Sequence, residues 1–76
     1  LVDSLYRKVL PEEIRGRRRM LRREPSSVAL RDDLALMLAE VGDLASAERE
    51  FRATLALQPD SASARFNVGM AALMRG

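Results

Sequence analysis

Cysteine, histidine and tryptophan are all absent from the 76 residues, and the aromatic side chains are limited to Tyr6, Phe51 and Phe66. Without thiols no disulfide can staple the chain. Without thiols or imidazoles the usual zinc sites and histidine-based acid–base chemistry are excluded as well. A chain this short buries a modest share of its surface, so it needs close helix packing or association to be stable. No apolar run approaches the roughly 20 residues of a membrane span, and no signal-like apolar core is present. A cysteine-free domain tolerates oxidising and reducing surroundings alike. The compartment is therefore not fixed, with only a slight lean to the cytoplasm. The chain starts at Leu1 rather than Met, as an excised piece of a longer protein would.

The carboxylates offer little for catalysis. The candidates are Glu12 and Glu13, Asp32 and Asp33, and Glu48 and Glu50. Neighbours in a helix point about 100° apart, so a pair such as Asp32–Asp33 does not converge on one substrate atom. The serines stand at expected helix starts, where capping accounts for them. No glycine-rich phosphate loop is present. The reading is that the chain is not an enzyme by itself and has no catalytic residue, cofactor site or metal site.

What the sequence does contain is helix-forming residues and a period. Ala, Leu, Arg and Glu dominate, with 47% apolar residues overall. REPSSVALRDDLA at 23–35 returns as LQPDSASARFNVG at 57–69, so that Pro25 aligns with Pro59, Ser27 with Ser61 and Arg31 with Arg65, while Gly42 aligns with Gly76. A period of 34 residues points to stacked repeats. Pro25-Ser26 and Pro59-Asp60 each end one helix and offer a cap for the next. Gly42 supplies a left-handed closing residue before Asp43. These breaks predict helices over about 26–41, 43–58 and 60–75. Apolar spacing puts Leu30, Leu34, Met37, Leu38 and Val41 on one face of the first, and Leu44, Ala47, Phe51, Thr54 and Leu55 on one face of the second. Short turns between helices of equal length predict antiparallel neighbours.

Leu34, Ala35 and Leu38, followed by Gly42, Leu44, Ala47, Phe51, Leu55 and Pro59, resemble one tetratricopeptide repeat. Residues 28–61 match a full 34-residue unit, and 62–76 resemble the first helix of the next, with Asn67-Val68-Gly69 in the place of the usual Asn-Leu-Gly. Arg31 and Arg65 hold the position often given to tryptophan, and Thr54 replaces the common alanine. The expected architecture is all-α, a short solenoid of about five helices in antiparallel pairs. Residues 1–25 form a divergent or capping pair (helices over 2–10 and 12–24), 26–59 a complete repeat, and 60–76 the first helix of a following one. In the first pair Lys8, Glu13 and Arg17 stand where the pattern has glycine, alanine and an aromatic. Small residues at Ala35, Ala47 and Gly69 are expected at close helix approaches, with Phe51 filling the wedge. Arg31 and Arg65 are expected to lay their stems on apolar surface and keep their guanidinium groups wet.

The resemblance implies a concave groove lined by the first helix of each pair: Ala29, Asp32, Leu36, Ala39 and Glu40, then Ser63, Phe66, Met70, Leu73 and Met74. The large apolar groups of 62–75 lie on that face, and such a patch marks an interaction site. The expected function is non-catalytic: a scaffold or adaptor that presents Leu36, Glu40, Phe66, Met70, Leu73 and Met74 to a peptide or helix. Asp32, Leu36, Phe66 and Met70 stand where the carboxylate-gripping grooves of the family favour Lys, Asn or Arg, which argues against chaperone-tail binding. The same apolar groups could instead pack on a further helix or on a second copy, making 60–75 a self-association face.

Charge supplies the third reading. Residues 1–25 carry eight bases and four acids, whereas 26–76 carry five bases and seven acids. In RGRRRMLRR at 15–23, Arg15, Arg19 and Arg22 form an outer stripe, with Leu10, Ile14, Met20 and Leu21 turned inward. Such a row could bind a polyanion or an acidic protein. No aromatic is interleaved to stack on bases, which disfavours nucleic acid.

Overall fold

A computed structural model describes residues 10–76 and contains four helices and no strand among them. They are α1 (Pro11–Arg23), α2 (Val28–Glu40), α3 (Leu44–Leu57) and α4 (Ala62–Arg75). The helix expected over 2–9 lies outside the described residues, as does Lys8. Leu10 is extended and serves as the residue before α1, with φ −91° and ψ 149°. Proline at the first helical position and the acids Glu12 and Glu13 in the first turn suit the orphan amides and positive pole of a helix start. Each helix packs on the next in the chain: α1 on α2, α2 on α3, α3 on α4. None of them is long and apolar enough to cross a membrane.

The chain turns twice in the same way, 34 residues apart. Glu24 and Gln58 each precede a proline, which disfavours the helical region, and they close their helices at φ/ψ of −131°/69° and −135°/73°. Ser27 and Ser61 then cap α2 and α4. The Oγ of Ser27 accepts the Leu30 amide at 3.2 Å, and that of Ser61 accepts the Ala64 amide at 3.1 Å. The Ser27 and Ser61 amides donate back to Glu24 and Gln58 at 3.0 Å in both turns. Arg31 and Arg65 repeat a longer link, donating to the carbonyls of Pro25 and Pro59 at 2.7 and 3.2 Å. The sequence period is thus a period of hydrogen bonds.

The turn between α2 and α3 is built differently. Gly42 takes φ +85°, a region open to glycine without a Cβ clash. The Gly42 amide reaches the Ala39 carbonyl at 3.0 Å and the Asp43 amide the Leu38 carbonyl at 2.9 Å, the paired bonds of a Schellman closure. Asp43 caps α3 by accepting the Ser46 amide at 3.2 Å. Its carboxyl is held below the ordinary carboxylate value, first by side-chain and then by backbone hydrogen bonding with Ser46.

One cluster of apolar side chains joins all four helices: Leu21 of α1, Leu34, Ala35 and Leu38 of α2, Ala47 and Phe51 of α3, and Ala71 of α4. Ala35 and Ala47 have no exposed surface, as small residues at a close helix approach should. Gly69, expected to play the same part, is exposed instead. Three further expectations fail at the margins. Val41 is exposed because it is the closing residue of α2, already rotating toward Gly42. On α1, Leu21 is buried and Ile14 packs against the core, but Leu10 and Met20 face outward. Among the described residues α1 packs mainly on α2, and the side it turns to the core is a narrow stripe.

Arg31 overturns its expected role. Its guanidinium is not left in water but donates to Glu50 of α3 at 2.9 Å as well as to Pro25, and both ionic side chains are largely covered, at 18% and 17% exposure. Two residues earlier on α3, Glu48 turns the other way. It is buried, accepts from Arg52 at 2.8 Å, and lies 3.1 Å from Nε of Arg75 at the end of α4, an ion pair without hydrogen-bond alignment. Glu50 therefore ties α3 to α2, and Glu48 ties it to α4. Arg17 and Asp33 link α1 to α2.

Replacing Arg31 by alanine strands Glu50 in a largely covered site, at a cost of roughly 2 kcal/mol in urea unfolding. Arg65→Ala removes only an exposed carbonyl contact and is expected to stay within about 0.5 kcal/mol of the parent. The depressed Asp43 carboxyl stabilises the fold above the ordinary carboxylate range, and this contribution disappears as pH falls through its lowered folded value. Asp43→Asn keeps a capping oxygen but cannot titrate. Urea midpoints measured from pH 7 down to 2 should therefore fall less steeply for the variant than for the parent.

Candidate functional site

A cleft of about 380 Å³ lies between α2, α3 and α4. Its walls are Leu36, Ala39 and Glu40 of α2 and Asn67, Met70, Ala71 and Met74 of α4; Leu44 and Phe51 of α3 make the floor. The helical period produces this directly. Leu36 and Glu40 are one turn apart on α2, and Met70 and Met74 hold the corresponding positions 34 residues later. Both pairs remain open to solvent while the opposite sides of their helices enter the core. The cleft is apolar, with Glu40 its single charged lining group.

Of the six groove residues expected from sequence, four meet in this cleft: Leu36, Glu40, Met70 and Met74. Phe66 and Leu73 do not line it, although they are 63% and 82% exposed. Phe66 stands one turn before Met70 and Leu73 directly before Met74, outside the cleft lining. Sequence reading missed Leu44, Phe51, Asn67 and Ala71 as cleft residues. Phe51 was assigned to the core, and it belongs there at 5% exposure, but its remaining surface faces the cleft. Nothing in its spacing distinguishes a core aromatic from one that is also a floor.

The 34-residue correspondence allows the two walls to be compared position by position. Leu36 and Met70 are equivalent positions, and they are 53% and 44% exposed. α2 has α3 packed on it, and Leu36 is nevertheless open. Met70 at the equivalent position of α4 is open in the same way. Phe66 and Leu73 differ in this respect, since their counterparts Asp32 and Ala39 are half-buried. Asp32, one turn before Leu36, keeps one carboxylate oxygen buried without a hydrogen-bond partner.

On the outer side, Arg15, Arg19 and Arg22 of α1 are exposed as a stripe at helical spacing. Arg17 is drawn out of the basic run by Asp33. The paired carboxylates considered for catalysis are directed apart: Glu48 and Glu50 face different helices, and Asp33 is engaged by Arg17 while Asp32 is not. Among the described residues, no group of three or more acidic side chains is gathered as a metal site would need. No family model matches the chain, and no characterised protein or solved structure is significantly similar to it.

Because Leu36 and Met70 are open surface, Leu36→Glu and Met70→Glu are each expected to leave helicity intact and stability within about 0.5 kcal/mol of the parent. Phe51→Ala, which empties part of the core, is expected to cost about 3–5 kcal/mol. Circular dichroism and urea unfolding of the three variants test this division between wall and floor.

Proposed function

We propose that the chain is a short stack of tetratricopeptide-type antiparallel helix pairs, acting as a non-catalytic scaffold or adaptor. Its cleft takes apolar side chains from a partner peptide or helix. The observation that carries the reading is the pairing of Leu36 with Met70: equivalent residues, both exposed, on the two walls of one apolar cleft. Support for the repeat assignment lies in the turn at 24–31 and its recurrence at 58–65 with the same donors and acceptors.

Cleft chemistry narrows the partner. Met70 and Met74 give one wall polarizable, unbranched groups that adjust to different apolar shapes. On α2, Glu40 lines the cleft one turn after Leu36, and Asp32 stands one turn before Leu36, outside the lining. A segment with one or two large aliphatic or aromatic side chains and a neighbouring Lys or Arg complements both walls. Polyanion binding by Arg15, Arg19 and Arg22 has the exposed stripe in its favour but no aromatic on α1 to stack a base.

Selection from a random displayed-peptide library tests the proposal. Recovered peptides should share an apolar anchor flanked by a basic residue, and Met70→Glu and Leu36→Glu should each lower their affinity at least about tenfold, a change on the order of 1.4 kcal/mol. Enrichment that ignores both substitutions, or none at all, would refute a ligand cleft.

A further inference from the structure

Half of the chain's arginines lie on α1. Arg17 is paired with Asp33 and Arg18 is half-buried, while Arg15, Arg19, Arg22 and Arg23 are exposed. At 100° per residue these four fall within about 100° of arc, on the side away from buried Leu21, in a row about 12 Å long. None of the four has an ion-pair partner among the described residues. Glu12, one turn before Arg15 and on the same side, is the acid that borders the row. Residues 1–9 add Arg7 and Lys8 against the single acid Asp3. Charge, and not exposure, defines this face. Unpaired guanidinium groups are costly to cover with apolar surface, so a partner lying against the row must supply anions. No residue of α1 lines the cleft.

We propose that Arg15, Arg19, Arg22 and Arg23 bind the phosphate backbone of double-stranded DNA without reading its sequence. α1 has arginines and no lysine, and a planar guanidinium can meet a phosphate with two parallel hydrogen bonds. Duplex DNA carries one negative charge about every 1.7 Å of its axis, so a row about 12 Å long meets several phosphates at once. Its major groove is roughly 12 Å wide and admits a helix, whereas the deep, narrow major groove of duplex RNA does not. α1 has no aromatic residue, which weighs against single strands, whose bases are held by stacking. A duplex keeps its bases stacked inside and offers phosphates instead.

Other anionic partners fit this face less well. The arc that holds the four arginines contains Glu12 and no apolar side chain. An acidic protein would need an apolar centre to dock on, because charged groups are depleted at the cores of protein interfaces. A membrane-bound helix needs one as well, to bury at the acyl boundary. Met20, the exposed apolar group of α1, stands about 60° beyond Arg23. A second copy is also a poor match. Its exposed acids, Glu12, Glu24, Glu40, Asp43 and Asp60, are scattered over α1, α2 and three turns and form no row.

The test is fluorescence anisotropy of a labelled DNA duplex of arbitrary sequence, titrated with the intact protein from about 20 to 200 mM salt. Four phosphate contacts predict that log K falls with log salt with a slope of about −3.6, and that Kd near physiological salt is on the order of 10⁻⁴–10⁻⁶ M. Arg19→Gln, a change at an exposed position, should preserve helicity, reduce the slope by about 1 and weaken duplexes of every sequence alike. Glu12→Gln should tighten binding. Arg65→Gln removes the same charge from α4 and should weaken binding far less than Arg19→Gln. Equal losses for the two arginines would overturn the proposal, since net charge alone would then account for binding. It also fails if a single strand or an RNA duplex of the same length binds as tightly as the DNA duplex. Preference for polyglutamate or for phosphatidylserine vesicles would assign the row to a protein or a membrane instead, and absence of DNA binding at about 20 mM salt would rule the site out.

Discussion

The guanidinium of Arg31 joins three parts of the chain: the turn at Pro25, α2 and α3. It reaches back to the Pro25 carbonyl and so fixes the turn from α1 into α2. It reaches across to Glu50 and so sets α3 against α2. A planar, permanently charged group with several donors can serve both partners at once, whereas lysine would offer a single point of charge. The pair is largely covered, so each partner depends on the other: a carboxylate left alone there would lose its hydration without compensation. With α3 placed, Ala35 and Ala47 can lie in full burial and Phe51 can enter the core.

From α3 the restraint passes to α4. Glu48 and Glu50 are two positions apart, about 200° around the helix, and for that reason they serve opposite neighbours. The helix between them is held on both sides, and the cleft is what remains between its neighbours. Leu44 and Phe51 lie at the bottom because α3 is central; Leu36 and Met70 lie on the walls because α2 and α4 flank it. The opening thus follows from the same two carboxylates that seemed, in the bare sequence, to be candidates for catalysis.

Repetition also separates two kinds of exposed apolar surface. Leu36 and Met70 are open in both copies of the pattern, as a surface belonging to the repeat itself should be. Ala35 and Gly69 differ, closed in one copy and open in the other, so that difference depends on a neighbour. Phe66 and Leu73 join neither class cleanly, because the residues at their α2 counterparts are Asp32 and Ala39, of different size and polarity.

The sequence by itself determined the helices and the places where they stop. The signals are local: a proline forces the preceding residue out of the helix, a serine hydroxyl reaches an amide three residues on, and Gly42 takes a conformation costly for other residues. The inward faces of α2 and α3 were legible for the same reason, since a 3.6-residue period is visible within a few turns. The tertiary structure alone decided the partners of Arg31 and Glu48, the division of Phe51 between core and cleft, and the separation of Phe66 and Leu73 from Met70 and Met74. Each depends on which helix lies beside which face. One stretch of helix can carry two apolar stripes of similar hydrophobicity, and only the position of a neighbour determines which becomes core and which stays open to a partner.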